Sequence, residues 1–468
     1  IGVAADANVV VFERIKEEVR SGKSVRAAVA AGYAKGFRTI LDANVVTCIT
    51  ALVLFAVATA GVKGFALMLL IGTLISLVTA VAATRAMLGL LAGFRWFDKP
   101  RFMGAHGQQH GRWLQIDFMG RRYLWLAISG AVIAIGLVSL GVRGLNLGID
   151  FKGGTQLTFK THQAQSVDDV RAQVGRVVSA GEVVQGRGKQ VNGGYTNWQI
   201  RTKSLSADQQ RTLTQDLKEK VGAYAPGAKN VSASFGRQIA RSAILAIIFS
   251  LFLIVLYIAV RFDIKFALPV IAALIHDIVI TVGVYSLTGR EVSTSTVAAV
   301  LTVLGYSIYD TIIIFDRIRE NTGLMRRAPF ATIANISLWE TIRRSLATTF
   351  ITLLPVAALL IFGGATLKDF AFALLVGIAS GAYSSIFIAA PLLTMWKERE
   401  PEFARRKATT PEPTDGTAQV VLDEAEAAAA AAPTPELVPV ETVERVVDSA
   451  KRERRRQRRR ARPHGRAR

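Results

Sequence analysis

Gly305-Tyr306-Ser307-Ile308-Tyr309-Asp310-Thr311-Ile312-Ile313-Ile314-Phe315-Asp316-Arg317-Ile318-Arg319-Glu320 sets one carboxylate inside a long apolar run and closes on a block of charge. A charge near the middle of a bilayer is costly, so an ionisable residue within a spanning helix marks a functional site. The chain carries the pattern twice. At its start stands Gly2-Val3-Ala4-Ala5-Asp6-Ala7-Asn8-Val9-Val10-Val11-Phe12-Glu13-Arg14-Ile15-Lys16-Glu17-Glu18, which closes on the same order of Phe, acid, Arg, Ile, base and Glu. Internal repeats of this kind build many transporters, and the pair predicts a polytopic α-helical membrane protein with a repeated helix bundle.

The composition agrees. Of 468 residues 51% are hydrophobic, and the apolar ones gather in near-continuous runs of about twenty, the length that crosses a bilayer. Lys and Arg outnumber Asp and Glu by 57 to 35, giving a net charge of +22. In a soluble protein that excess would suggest nucleic acid; here much of it lies between apolar runs and in the tail, where positive charge marks the cytoplasmic side. The one cysteine, Cys48, sits in an apolar run and excludes an internal disulfide framework or a cysteine metal cluster. Residue 1 is Ile and the first helix begins without flanking residues, so a preceding part of the protein is expected.

Spans are expected at 1–12, 45–60, 65–91, 123–140, 239–260, 266–286, 297–315, 346–362 and 370–396, with every basic loop on the same side. Six regions follow: membrane helices over 1–96; a cytoplasmic linker over 97–120; one helix over 121–142; an exterior domain over 143–236; five helices over 237–400; and a disordered cytoplasmic tail over 401–468, rich in Pro, Glu and Ala and then intensely basic. The tail's arginines suit anionic lipid or ribosomal RNA, or are simply solvated. In the exterior domain strands are expected at 145–161, 182–185, 198–203 and 230–235. Helices are expected at 167–178 and 206–221, opened by Ser166 with Asp169 and by Ser206 with Gln209. That alternation predicts a small ferredoxin-like α+β domain. Gly153-Gly154 after a strand reads as a turn needing positive φ rather than a phosphate cradle.

Around Asp310, Tyr306 and Ser307 stand four and three residues earlier, on its face of the helix. Their hydroxyls would stabilise the carboxylate or relay a proton. His276-Asp277 falls midway along another span and either helps conduct protons or braces the bundle. Asp42-Ala43-Asn44 stands at an expected helix entrance, where Asp commonly caps. With Phe12 aligned on Phe315, Asp6 lies one residue farther from that Phe than Asp310 does, which rotates it by about 100°. Among enzyme motifs, Gly22-Lys23-Ser24 lacks the opening glycine of a P-loop, since Glu17 stands there. His106 and His110 in the linker have no Cys or clustered carboxylate to complete a metal site. No enzyme is predicted, and no metal or cofactor.

Three motifs carry a resemblance. Asp6-Ala7-Asn8 running into Phe12-Glu13-Arg14-Ile15 resembles the fourth membrane helix of SecD. Tyr306-Ser307-Ile308 and Asp310-Thr311 running into Phe315-Asp316-Arg317-Ile318-Arg319-Glu320 resemble the matching helix of SecF. Gly148-Ile149-Asp150-Phe151-Lys152-Gly153-Gly154-Thr155 resembles the glycine motif that opens SecF's exterior domain. The likeness covers roughly the first four hundred residues, as the end of a SecD joined to a nearly whole SecF, of the resistance-nodulation-division superfamily. It implies that Arg344, in Arg343-Arg344-Ser345, opposes the acid. Asp310, Arg344 and Asp6 would form the proton relay, with Tyr306, Ser307, Asp42, His276 and Asp277 supporting it. An arginine opposite an acid lowers its pKa, and moving away lets it take a proton. SecF proteins commonly carry Asn before the aspartate; this chain has Tyr309.

The function this resemblance implies is a subunit of bacterial protein secretion in the cytoplasmic membrane. Its partners would be the SecYEG channel, the SecA ATPase, YajC and YidC-like subunits, membrane lipid and unfolded preprotein, with protons as coupling ion. The alternatives are a resistance-nodulation-division exporter of small molecules or lipids, and a scaffold that transports nothing.

Overall fold

The computed structural model describes residues 2–57, 60–94, 97, 116–178, 183–188, 190–191, 193–262 and 264–409. Most of the linker, with His106 and His110, lies outside them, as does the basic end of the tail. The first half comprises α1 (Gly2–Arg20), α2 (Val25–Val57) and α3 (Ala60–Val78), which a π-helical turn at Thr79–Ala83 joins to α4 (Thr84–Leu91). Then come α5 (Arg122–Arg143), the exterior domain, α9 (Ala233–Arg261) and α10 (Ile264–Thr288). After the short β6 (Glu291–Val292) follow α11 (Thr294–Leu324), α12 (Phe330–Phe362) and α13 (Ala365–Ser384), which a second π turn links to α14 (Ala390–Lys397). Among the described residues, α2, α5, α9, α10, α11, α12 and the α13–α14 unit are long and apolar enough to cross a membrane, and α3 contains a shorter apolar helix. α11 is the central one: its apolar window is 83% buried, against 17% for α5 and 22% for α9.

The exterior domain contains β1 (Asn146–Leu147), the one-turn α6 (Ile149–Lys152), β2 (Gly154–Gln165), α7 (Val167–Val177), β3 (Val183–Arg187), β4 (Tyr195–Thr202), α8 (Ala207–Val221) and β5 (Ala223–Val231). Its antiparallel sheet runs β3-β4-β2-β5, and with the two helices this is the expected ferredoxin-like order. Alternation along β4 decides which face is which. Trp198 and Ile200 join Leu157, Phe159, Val174, Leu213 and Leu217 in the core under the helices. Gln199 and Arg201 point the other way. Gln199 Nε2 donates to Glu291 Oε2 at 2.9 Å, and the Arg201 guanidinium lies 3.6 Å from Glu291 Oε1. Both expected helix starts are present: Ser166 Oγ accepts from the Asp169 amide, and Ser206 with Gln209 forms a full capping box.

The glycine pair is the turn the sequence predicts. Gly153 has φ +75° and Gly154 φ +126°. A Cβ at Gly153 would stand 2.7 Å from Ala233 Cα, and one at Gly154 would run into the Thr202 carbonyl oxygen. The turn therefore wedges β2 between the start of α9 and the end of β4. Just before it, Asp150 Oδ1 accepts from Lys229 Nζ at 2.6 Å, while Oδ2 accepts from the Thr294 amide at 3.2 Å and the Thr294 hydroxyl at 3.1 Å. Thr294 opens α11, so Asp150 fills one of the amides a helix start leaves unpaired. Burial pushes the Asp150 carboxyl up, but the Lys229 and Thr294 hydrogen bonds outweigh it and hold it below its ordinary value of 3.8.

Two expectations need correction. The closing strand is Ala223–Val231, and residues 233–235 are instead the first turn of α9, because Ser232 accepts from the Phe235 amide and caps it. The tail does not begin disordered: Pro401–Thr409 forms a further helix, α15, whose Phe403 is buried against the Phe330 ring at 5.0 Å.

Two outcomes follow. Gly154→Ala should lower the unfolding free energy of the detergent-solubilised chain by about 1–3 kcal/mol, through backbone strain and collision with Thr202. Gly130→Ala, where an added Cβ meets nothing within 4 Å, should not. Asp150, being depressed when folded, contributes stability that is fully present above the ordinary value of 3.8 and lost as pH falls through its lower folded value. Asp150→Asn should therefore flatten the acid side of a melting-temperature profile.

Candidate functional site

α11 brings Tyr309 and Asp310 to a position where α12 presents Arg344 and Ser345. Asp310 is 6% exposed and Arg344 8% exposed. Ser345 Oγ donates to Asp310 Oδ2 at 2.7 Å, and the Arg344 guanidinium lies 5.9 Å from the centre of the Tyr309 ring. Two adjacent residues on one helix thus face two adjacent residues on the other. Tyr309, where the resemblance leads one to expect Asn, is buried in the same apolar cluster as Ala7, Val10 and Val11 of α1. α1 packs against both α2 and α12, which places Asp6 on a neighbouring helix; its side chain is outside the described set.

Of the two hydroxyls expected beside Asp310, that of Ser307 is engaged by another acid and that of Tyr306 is bonded to α12. Ser307 Oγ donates to Asp277 Oδ2 at 2.6 Å, so its one proton is committed there, and Tyr306 is paired with Thr352 Oγ1 at 2.6 Å. Ser345, a donor to Asp310, comes from α12, which spacing along α11 could not reveal.

Asp277 is fully buried. Besides Ser307 of α11 it accepts from Ser380 Oγ at 2.7 Å and Ser384 Oγ at 2.8 Å, both on α13, and His276 Nδ1 stands 3.1 Å away. The close approach has a simple cause: a Cβ at Gly381 would lie 2.8 Å from Ser307 Cβ. Small residues at Gly377, Ser380, Gly381 and Ser384 let α13 lie against α11, the small-residue pattern of membrane helix pairs. That stripe in 377–384 was the available sequence signal for Ser380 and Ser384.

Asp42 is not a cap. It stands well inside the 33-residue α2, where the backbone amides are already paired. Its carboxylate instead accepts from Tyr257 Oη at 2.9 Å and Arg261 Nε at 2.7 Å, both on α9.

At the charged ends of α1 and α11 the repeat acquires chemical meaning. Arg14 of α1 lies 3.1 Å from Glu320 of α11, and Arg317 of α11 lies 3.6 Å from Glu17 of α1. Aligning Phe12 on Phe315 makes Arg14 equivalent to Arg317 and Glu17 to Glu320, so each half gives the other the same pair. The clasp is extended unequally. Arg317 also pairs with Glu340 of α12, which accepts from Asn321 Nδ2 at 2.8 Å, whereas Arg14 reaches Asp316 at 4.0 Å and Thr39 donates to that acid at 3.3 Å. Among the described residues no group of three or more His, Cys, Asp or Glu could hold a metal ion.

The reciprocal pairs give a direct test. Arg14→Glu should lower thermal stability of the solubilised chain by setting like charges at Glu17 and Glu320. Adding Glu320→Arg should restore only part of the loss, because Glu320 also pairs with Arg317 at 3.0 Å and Glu17 stays beside position 14, and a double-mutant cycle reads that part.

Comparison with known proteins comes to the same architecture. Residues 211–399 match the description "Protein export membrane protein SecD/SecF, C-terminal", residues 138–165 match the SecD/SecF GG motif, and residues 1–124 match the MMPL family. The chain is 36% identical to the protein translocase subunit SecDF of Bacillus subtilis, over 86% of this chain and 56% of that one. It is 37% identical to the protein translocase subunit SecF of Desulfurispirillum indicum, over 62% of this chain and 94% of that one. A crystal structure of SecDF from Thermus thermophilus, a translocon-associated membrane protein, superposes with a TM-score of 0.79 at 35% identity, covering 85% of this chain and 54% of the other. The chain thus spans about half the length of the SecDF relatives it matches.

Proposed function

This chain belongs to the SecD/SecF family of protein-export membrane proteins, a multi-pass protein of the cytoplasmic membrane, and from that premise we propose that it works as a proton-driven accessory subunit of the Sec preprotein translocase. In this reading it is a motor component rather than an enzyme. It stands beside the SecYEG channel with YajC and YidC-like subunits, and draws outward the unfolded preprotein that SecA has pushed in. Relatives named as translocase subunits, and one titled translocon-associated, support the assignment to export.

The observation that carries the motor reading is Asp310, buried on the central helix with Ser345 bound to its carboxylate and Arg344 beside its neighbour Tyr309. With Asp310 ionised, the Arg344 guanidinium and the Ser345 hydroxyl favour α12 close to α11. A proton on the carboxyl removes the charge that attracts Arg344, and α12 is released. Asp6, on the helix packed against α12, is the second acid that the resemblance assigns to the relay. Each proton crossing contributes about 2.3 kcal/mol per 100 mV of membrane potential. α11 begins at Thr294, held by Asp150, so its movement reaches the exterior domain. That domain's interior is filled by Trp198, Phe159, Leu213 and Leu217, which favours a lever over a pocket for small molecules.

Preprotein export in cells depleted of SecD and SecF, supplied with the complete protein carrying Asp310→Asn, tests this. Export should fall to the depleted level while the protein accumulates normally. Wild-type export would overturn the Asp310 relay and leave either a scaffold or an ion path through Asp6 and Asp277.

A further inference from the structure

We propose that Asp277 and His276 form a second proton-binding site, distinct from Asp310, which takes up one proton at His276 Nε2 and thereby discharges the Asp277 carboxylate. The inference deepens the proton-driven reading and rests on it.

Asp277 is 0% exposed, and each of its oxygens has two partners: Ser380 and His276 at Oδ1, Ser307 and Ser384 at Oδ2. The three serine hydroxyls all donate, an arrangement made for the ionised acid. Yet none of these partners is Lys or Arg. A fully buried carboxylate without a fixed cation is expensive, so the site needs a neutralising charge from elsewhere. The adjoining imidazole is the group able to bring one. Facing a carboxylate, Nδ1 carries the N–H. Nε2 is then left with its lone pair, buried and without a hydrogen-bond partner among the described residues.

The step balances without any further reactant. A proton arriving at Nε2 forms one N–H bond, the Nδ1 proton passes to Asp277 Oδ1, and a neutral carboxyl is left beside a neutral imidazole. The charge of the pair goes from minus one to zero. Hydrogen bonds to an ionised acceptor are roughly twice as strong as those to a neutral one, so all three serine bonds weaken together. Those bonds join α10 to α11 and α13, the helix that carries Asp310 and its closest small-residue neighbour.

The surrounding titratable groups leave this pair its own. On α13, Tyr383 stacks on His276 at 6.0 Å and its hydroxyl is bonded to Ser129 of α5. On α11, Asp310 lies about one turn beyond Ser307 and is bonded to Ser345. Arg122, Tyr123 and Arg143 lie at the ends of α5. On α9, Arg237 and Arg241 lie near one end, and Tyr257 and Arg261 are tied to Asp42 near the other. Lys397 of α14 sits over Phe266 at the start of α10.

The test is a pH titration of the carboxylic-acid stretch by infrared difference spectroscopy, on the full chain in lipid nanodiscs. With Asp310→Asn a band should still grow on acidification, and adding Asp277→Asn should abolish it. If Asp310→Asn alone removes every titrating band that Asp277→Asn could affect, the second site is overturned while the Asp310 reading stands. If neither substitution removes a band, both fall. Should Asp277→Asn fail to assemble, the unsubstituted chain answers through its 15N-imidazole spectrum, with His276 assigned by His276→Gln. The Nε2 resonance should move from the bare to the protonated position on acidification, and a resonance that stays fixed overturns the proposal.

Discussion

A carboxylate buried in an apolar helix bundle must find donors, and in this protein most of them come from other helices. Asp42 of α2 is held by Tyr257 and Arg261 of α9, Asp277 of α10 by serines of α11 and α13, and Asp310 of α11 by Ser345 of α12. In a membrane, apolar side chains gain little by meeting one another, since lipid tails are as apolar as they are. Each interhelical hydrogen bond is modest, but a carboxylate left without its donors forfeits the whole desolvation cost. The three acids therefore fix which helices are neighbours more firmly than the leucines around them do.

The repeat is symmetric where it clasps and asymmetric where it is charged inside. Arg14 with Glu320 and Arg317 with Glu17 exchange equivalent partners across the two halves, as an isologous contact between two subunits would. Deeper in, the correspondence ends. Aligning residues 63–66 on 368–371 sets Arg344 opposite Thr39, and Thr39 bonds to Asp316 rather than to an interior acid. A symmetric end suits a pivot, since two equal contacts resist separation but tolerate rocking. On the proposed proton-driven reading, an asymmetric interior suits a site that releases a proton on one side after binding it on the other.

Much of this was legible in the sequence. The apolar runs placed seven of the nine expected spans, whereas, among the described residues, α1 is not apolar enough to count as one and α3 contains only a shorter apolar helix. Strands alternating with two helices opened by Ser166 and Ser206 gave the ferredoxin-like domain. The Gly153-Gly154 turn followed from the need for positive φ. What escaped was decided by contacts across helices. Asp42 read as a cap because it precedes an apolar run, but the stretch before it is equally helical, so the true start is Val25. Ser307 and Tyr306 do share a helix face with Asp310. A face is wide enough to meet several neighbours, and theirs are Asp277 and Thr352. β5 was displaced along the chain because its residues, Ala223–Val231, include Pro226 and Gly227 and alternate poorly. The start of the tail read as disordered by composition, and Phe403 is the one large apolar anchor that overrides it.

Asp150 joins the two parts of the molecule that the sequence shows only separately. One of its oxygens takes the amide and hydroxyl of Thr294, the first residue of α11, and the other takes Lys229 of β5. Asp310 lies about 24 Å farther along the same helix, at 1.5 Å per residue. A helix buried along most of its length moves as a rod rather than bending locally. Any tilt of α11 at the level of Asp310 must then either carry Asp150 with it or break the two hydrogen bonds between Asp150 and Thr294. Asp150 cannot yield independently, because the next turn is wedged by Gly153 against Ala233 and by Gly154 against Thr202. The displacement is therefore passed to β2 and β5, whose shared ladder makes the exterior sheet move as one body.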